Sequence, residues 1–535
     1  MTNSNTKQST NYSALSTLVT VFFFWGFIAA SNGIFIPFCK KFFNLTQFQS
    51  QLIDTAFYGA YYIGSYLLFL STALTKIDLL NKIGYKKGII IGLFISILGA
   101  ILMIPAVDSA SFYFILSAFF VIALGFSLQQ TSAQPFAISL GDPSTGSHRL
   151  NLGGSVNSFG TTVGPLIVSM ALFGTIQAGG SADADINQIK MLYMIVGGVF
   201  LLAALIFIFS KNLPASNFDE HVESSPKALM SLTTLTAALI LISIIGQTDI
   251  LSKLQLTLIA LFAVILILFY SYNSATKNGE GWGAMKYPQL ILGMLGIFTY
   301  VGVEVTIQSN LGALLKTPEF GSYDESNISH FISLYWGSLM IGRWTAAISV
   351  FNLSKKLKRT LTFVVPFVAF GIIILVNNGR GNDMSSLYSY VICIAVLIAG
   401  IFYGQDKPVK TLFTLSILAT VAMLIGIFTS GVVAIYALLA SGLFCSIMWP
   451  SIFSLGIAGL GKYTSEGSAF LIMMILGAAI IPPLQGAIAD TNIGIHNSYF
   501  VAVVCFIFLA WIANRFKNVL KTQGIDFDNQ IGGGH

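Results

Sequence analysis

"PFAISLG", residues 135–141, and "PSIFSLG", residues 450–456, share the form P-x-x-x-S-L-G, and the residues just beyond each motif decide the fold. After the first comes "GTTVGP" (160–165) and after the second "GAAIIP" (477–482), both of the form G-x-x-x-x-P. Pro135 to Gly160 is 25 residues and Pro450 to Gly477 is 27, so two signals recur in the same order at nearly the same spacing. Such a recurrence marks two halves built alike and running in parallel, as in transporters assembled from a repeated unit.

The chain around these motifs is made for lipid. Of its 535 residues 55% are hydrophobic and 9% charged, and its mean hydropathy is +0.80, whereas about a quarter of the residues in a soluble domain carry charge. Apolar runs of roughly 20 residues fit membrane-crossing helices better than barrel strands of about ten alternating residues. The reading is therefore an all-α integral membrane protein. Apolar segments fall near 14–38, 50–72, 88–107, 111–140, 150–175, 188–210, 228–246, 254–272, 287–315, 329–351, 360–377, 387–403, 411–429, 432–458, 467–488 and 496–515, about sixteen spans. With the N-terminus inside, "KIDLLNKIGYKKG", "SKKLKR", "GQDKPVK" and "NRFKNVLK" all fall on the cytoplasmic side, as basic loops should. The net charge of +6 then needs no nucleic acid to explain it. Both termini are expected in the cytoplasm of a bacterium, with the chain in the inner membrane. The run after the polar residues 1–13 is too long for a removable signal.

The expected organisation is a cytoplasmic tail (1–13), a six-helix half (14–212), a linker with an inserted transmembrane hairpin (213–286), a second six-helix half (287–515) and a cytoplasmic tail (516–535). The second half carries another hairpin at about 360–403, although 360–377 and 411–429 compete for the place of its third core span. Each hairpin has an even number of spans, so neither inverts the spans after it. "ALMSLTTLTAALILISIIG" and "YVICIAVLIAGIFYG" hold almost no deep polar groups and are expected outside the core, facing lipid or another subunit.

Several readings fall away. "GIAGLGK" (456–462) fits G-x-x-x-x-G-K, but Tyr463 stands where a Ser or Thr would hold Mg²⁺ and no strand precedes it. Cys39, Cys393, Cys445 and Cys505 are scattered without metal or redox spacing. No cluster of acids, histidines or nucleophiles suggests an enzyme, and no cofactor is expected beyond a coupling ion.

The segments "FFFWGFIAASNGIFIPF", "LIDTAFYGAYYIGSY", "GYKKG", "QQTSAQPFAISLG", "SHRLNLGGSVNSFG", "YVGVEVTIQSN", "YWGSLMIGRW" and "WPSIFSLG" occur in that order. Together they resemble the fucose permease and glucose/galactose transporter family of the major facilitator superfamily. The likeness covers the twelve-span core, and "RLNL…NSFG" is its most specific element. It implies alternating access with a monosaccharide near the midplane, driven by a cation gradient. In the fucose permeases that carry protons, one acid follows the asparagine matching Asn32 and another lies in the fourth span. Here those places hold Gly33 and Gln130, so that route lacks both of its acids and Na⁺ is the preferred ion, with H⁺ or facilitated transport as alternatives. A sugar sensor would carry a longer soluble tail, and an amphiphile exporter a more apolar cavity. A monomer is expected.

Polar side chains deep in hydrocarbon face a cavity or another helix. In the fourth span Ser127, Gln130 and Gln134 share a face, and amides both donate to and accept from a ring of hydroxyls. Asn157 and Thr161 lie one turn apart in the fifth span beside Gly153, Gly154 and Gly160. Sugar-binding candidates are Asn32, Gln130, Gln134, Asn157 and Gln308, with Tyr61, Trp336 and Trp449 as rings for the sugar's C–H face. Helix–helix hydrogen bonding is the plainer use of the same amides. Glu304 lies on a stripe with Tyr300 and Gln308, where a carboxylate needs a cation or takes up a proton. It is the candidate Na⁺ ligand, the alternative being a permanent pair with Arg343. Asp54, on the face of Tyr58 and Tyr61, is a second candidate ion ligand or a helix cap. Arg343 and Arg149, from "IGRW" and "HRLNL", are expected to have structural or gating roles, Arg343 at the cytoplasmic end.

Overall fold

The computed structural model describes residues 9–44, 47–173, 186–214, 219–248, 250–323 and 325–525. Apart from one isolated pairing of Ile77 with His221, the regular structure of these residues is helical. The first half contains α1 (Tyr12–Phe42), α2 (Gln47–Thr75), the short α3 (Leu79–Ile83), α4 (Tyr85–Asp108), α5 (Phe112–Ser139), α6 (Gly146–Phe173) and α7 (Ile186–Phe209). A hairpin comes next, α8 (Pro226–Ile245) and α9 (Lys253–Lys277). The second half begins with α10 (Pro288–Leu315), α11 (Glu325–Ala347), α12 (Lys355–Gly379), α13 (Val391–Gly404) and α14 (Pro408–Phe428). It continues with α15 (Gly431–Cys445), α16 (Met448–Gly456), α17 (Thr464–Met473), α18 (Gly477–Ala489), the short α19 (Gly494–Ser498) and α20 (Phe500–Thr522).

In lipid a backbone must satisfy its own hydrogen bonds, which makes apolar runs helical. Their ends obey local chemistry. Asn11, Ser111, Ser252 and Ser354 cap first turns with side-chain oxygens, while Pro226, Pro288 and Pro408 occupy first helical positions, where no N–H is needed. Thirteen described helical stretches are long and apolar enough to cross a membrane. The long helices α2, α6 and α11 are not among them; Asn157 and Arg343 interrupt the runs of α6 and α11, and tyrosines, glycines and serines dilute that of α2. The criterion therefore stops short of the sixteen spans expected.

The halves are packed alike. In the first, α1 lies on α6, α2 on α5, and α4 on both α5 and α7. In the second, α10 lies on α18, and α14 on both α15 and α20. The glycines of the repeated motif do the same work in each: a Cβ on Gly160 would sit 2.2 Å from the Phe23 carbonyl oxygen of α1, and one on Gly477 would sit 1.8 Å from the Phe298 carbonyl oxygen of α10. Both positions demand a bare Cα because two helix backbones meet there. The equivalence also bears on the two competing segments: α14 contacts α15 and α20 as α4 contacts α5 and α7, while α12 packs against α11 and α13.

Between the halves, α2 and α5 meet α17, and α6 meets α11 and α16. The joining hydrogen bonds run from the end of the bundle that carries both described termini towards its middle. Tyr12 donates to the Val350 carbonyl (2.9 Å), Asn81 to the Lys462 carbonyl (2.8 Å), Ser468 to the Thr131 carbonyl (2.8 Å) and Trp344 to the Ser155 carbonyl (3.1 Å). The halves are thus shut against each other at the termini end. "GYKKG" helps to build this end, since Gly84 turns the chain at φ 82° and Lys86 donates to the carbonyls of Ile208 and Ser210.

Candidate functional site

α10 is buried among other helices from Gln289 to Glu304, so a charge at its middle has to find its partner inside the protein. Glu304 finds Arg343, whose Nη2 lies 3.3 Å from Oε1, and Tyr300 donates its hydroxyl to the same oxygen at 2.7 Å. The rest of the guanidinium is spoken for. Its Nη1 donates to Ser158 Oγ of the opposite half (3.1 Å) and its Nε to the Ser446 carbonyl (3.3 Å). Gly154 leaves space for the stem, because a Cβ there would lie 3.2 Å from Arg343 Cδ. Trp449 adjoins Tyr300, ring centroids 6.2 Å apart, and Tyr335 donates to the Glu304 carbonyl at 2.7 Å.

Of the two partners open to Glu304, a mobile cation or Arg343, the structure shows the second. The cation beside Glu304 is Arg343, so a sodium ion at Glu304 would have to displace a guanidinium that already makes four polar contacts. Arg343, four residues before the end of α11 at Ala347, belongs to a cluster joining the halves. A side chain points back towards the N-terminus of its own helix, and on α11 that direction carries the guanidinium inward.

In the first half Gln130 and Tyr61 meet, the amide donating to the phenol oxygen at 3.0 Å. Gln130 is half-buried, and the Tyr61 bond is the one its side chain makes among the described residues. Ser127 donates to the Tyr61 carbonyl and pairs with Ser65, which binds α2 to α5. Asn157 donates to the Phe22 carbonyl of α1 at 3.0 Å, the helix–helix use of an amide. Gln134 lies buried one turn beyond Thr131, whose carbonyl takes the bond from Ser468, and its Oε1 has no partner among the described residues. It belongs to the closed seam in this conformation, apart from the Gln130–Tyr61 pair.

Trp336 is half-buried, packed edge-on against Tyr335. Gln308 bonds only to its neighbour Ser309 among the described residues. Arg149 is buried and donates to the carbonyls of Ala137, Ile138 and Asp142, which ties the turn between α5 and α6. The side chains of Asn32 and Asp54 lie outside the described residues. Sequence reasoning missed Ser158 and Ser446, and nothing distinguishes one serine in an apolar helix from another. It also missed Asp78 and Glu466, which flank "GYKKG" and "GIAGLGK" and are both buried; acidic residues at span ends read as solvated.

A glucose/galactose transporter of Brucella abortus is 30% identical over 507 residues, covering 95% of this chain and 95% of that one. The chain belongs to the fucose permease and glucose/galactose transporter family of the major facilitator superfamily. A putative glucose/galactose transporter of Helicobacter pylori is 28% identical, covering 95% of this chain and 97% of its own. The L-fucose-proton symporter of Escherichia coli is 25% identical, covering 95% of this chain and 93% of its own. The crystal structure of that E. coli symporter superposes with a TM-score of 0.62 at 23% identity, covering 94% of this chain and 98% of that one, and shows the shared fold. No protein-family model matches the chain. Like other members of the major facilitator superfamily, it is a multi-pass membrane transporter and not an enzyme.

Proposed function

We propose that this transporter imports a hexose of the glucose, galactose or fucose type across a bacterial inner membrane, with both termini in the cytoplasm, by rocking its two halves around a midplane site. The observation that carries the reading is the half-buried Gln130 amide held by Tyr61, whose ring meets Phe57 edge-on at 5.3 Å, a mixture of two-way hydrogen bonding and flat apolar faces of the kind a hexose needs. Trp336 and Trp449 supply rings from the second half. The relatives named for glucose/galactose and for L-fucose support the substrate class.

The coupling ion in this reading is the proton. Arg343 holds the place beside Glu304 where sodium was expected, and two relatives are named as proton symporters. The fucose permease acids are absent, Gly33 and Gln130 standing in their positions, so Glu304 carries the proton instead. While the pair is made Glu304 stays ionised. Movement of the halves that draws Arg343 towards Ser158 strips the carboxylate of its cation, and in a desolvated setting it then takes up a proton. The α8–α9 hairpin and the α12–α13 hairpin lie outside the twelve core helices and complete a bundle of sixteen spans. The expected form is a monomer.

Binding of hexoses to the purified protein, monitored by quenching of tryptophan fluorescence, tests the substrate class. Saturable quenching by one or more of D-glucose, D-galactose and L-fucose, weakened in Gln130→Ala, is expected. No saturable response to any hexose would contradict it.

A further inference from the structure

The termini end of the seam holds a second buried acid pair, remote from Glu304. Asp78 lies just after α2 in the first half and Glu466 lies in the first turn of α17 in the second. Each is only 3% exposed. They line one small cavity with Thr72 and Ser465, walled on the apolar side by Leu68 and Phe69, with room for a single water-sized guest. Asp78 accepts from the Asn81 backbone N–H at 2.9 Å, and Glu466 Oε1 accepts from the Ala284 N–H at 3.1 Å. Glu466 Oε2 is buried in this cavity without a hydrogen-bond partner among the described residues.

The surroundings are built to keep this place shut. Gly283, at φ +52°, lets the chain before α10 press on Glu466; a Cβ there would come within 2.7 Å of Oε1. The linker closes the other side, with Asp78 donating its N–H to the Glu220 carbonyl and Asn81 its amide to the Asp219 carbonyl. Ser465 donates to Asn81 Oδ1 at 2.7 Å and lies 3.3 Å from the Tyr85 hydroxyl. The charged groups facing the pair are few. Lys286 acts on Glu466 through space, but its ammonium bonds to Glu223 at 3.3 Å. Among the described residues neither Asp78 nor Glu466 is in an ion pair. Two carboxylates cannot both stay ionised in one dry site, since like charge and desolvation each favour the protonated form.

We propose that Asp78 and Glu466 together hold one proton while the seam is closed, and that release of this proton to water on the side of the termini loosens the seam. This rests on reading the halves as the moving parts of a transporter, but needs no sugar. The two acids come from opposite halves, so separation hydrates both and returns them to ordinary carboxylates. The proton leaves as hydronium, and the negative charge left behind repels across the seam. Burial supports the direction, raising the Asp78 carboxyl from 3.8 to about 6 against the pull of the Asn81 and Leu80 N–H groups; the proton belongs to the pair, not to either acid alone. Burial, and then the neighbouring Asp78, raise the Glu466 carboxyl further, to about 8, so the stabilisation is complete below the ordinary carboxylate range and is lost as pH rises through about 8. Between those limits the closed-to-open ratio falls about tenfold per pH unit.

Hydrogen exchange on the full chain in nanodiscs, without sugar or sodium, tests this. Peptides spanning 76–88 and 460–470 are measured at pH 4.5 and 6.5 and corrected for intrinsic exchange. Their protection is expected to fall at least severalfold at the higher pH, while Glu466→Gln, which leaves Asp78 as the one acid of the pair able to ionise, should lose much of that response. Asp78→Asn is the second variant and is expected to weaken the pH response in the same way. Protection in the native chain that does not change with pH, a pH response undiminished in both variants, or protection at fixed pH that tracks added NaCl would each overturn the proposal. Hexose binding is measured on the same sample, so failure of the latch and failure of the sugar reading are seen separately.

Discussion

Arg343 of α11 binds Glu304 of α10 with one nitrogen, Nη2 to Oε1 at 3.3 Å, and Ser158 of the opposite half with another, Nη1 to Oγ at 3.1 Å. One side chain therefore connects the buried charge to the joint between the halves. Any relative movement there must lengthen one of these contacts, and this links the protonation of Glu304 to the state of the seam.

Arg343→Leu leaves Glu304 buried and unpaired, which costs about 3–5 kcal/mol. The unfolding temperature of the purified protein should drop by several degrees, and adding Glu304→Gln should recover part of the loss. A double variant no more stable than Arg343→Leu would show that the two side chains are not energetically coupled. Arg343→Lys keeps the charge without the planar fork. It should fold and bind hexose while transporting several-fold more slowly.

The repeated glycines give a paired prediction. Gly160→Val and Gly477→Val would each drive a side chain into a facing backbone, and overpacking of this kind costs about 1–3 kcal/mol or more. Both should lower the unfolding temperature. Gly59→Ala, where a Cβ meets nothing within 4 Å, should leave it unchanged or raise it slightly.

The hairpin α8–α9 touches both halves, α8 lying on α2 and α9 on α10 and α18. Its grip on the first half includes Tyr62 to Thr236 (3.0 Å) and Tyr66 to Thr233 (2.8 Å). Replacing both tyrosines by phenylalanine removes two hydrogen bonds worth about 1 kcal/mol each. Linker residues 219–225 should then be cleaved faster in limited proteolysis, with hexose affinity unchanged. A loss of affinity instead would place these tyrosines in the sugar site.

Gln130→Ala should weaken hexose binding about tenfold, the loss of one or two hydrogen bonds to hydroxyls. Tyr61→Phe should have a smaller effect, since it frees the Gln130 amide without removing it. Equal affinities for Gln130→Ala and the native chain, measured by fluorescence titration, would remove Gln130 from the site.

The helices and the repeated halves were legible because they rest on local signals, apolar runs and glycine and proline spacing, whereas the stripe of Ser127, Gln130 and Gln134 did not say that Gln130 would meet Tyr61 of another helix. Gly160 and Gly477 could be matched before their contacts were known, since a duplicated motif carries its packing duty with it. A pair of Glu304 with Arg343 was open in the sequence, as a carboxylate deep in one core span needs a cation. The reach of Arg343 to Ser158 of the opposite half was not, since it depends on the long stem and the gap beside Gly154. Asp78 and Glu466 were hidden for a related reason, because the burial of each is created by a segment distant in sequence, the linker for one and the turn at Gly283 for the other.

The most direct measurement is uptake of labelled hexose into proteoliposomes in sodium-free buffer with an inward proton gradient, for the native chain and Glu304→Gln. The native protein should accumulate sugar above equilibrium, while the variant should only equilibrate it. Accumulation by Glu304→Gln equal to the native level, or accumulation that needs a sodium gradient and ignores pH, would contradict the account.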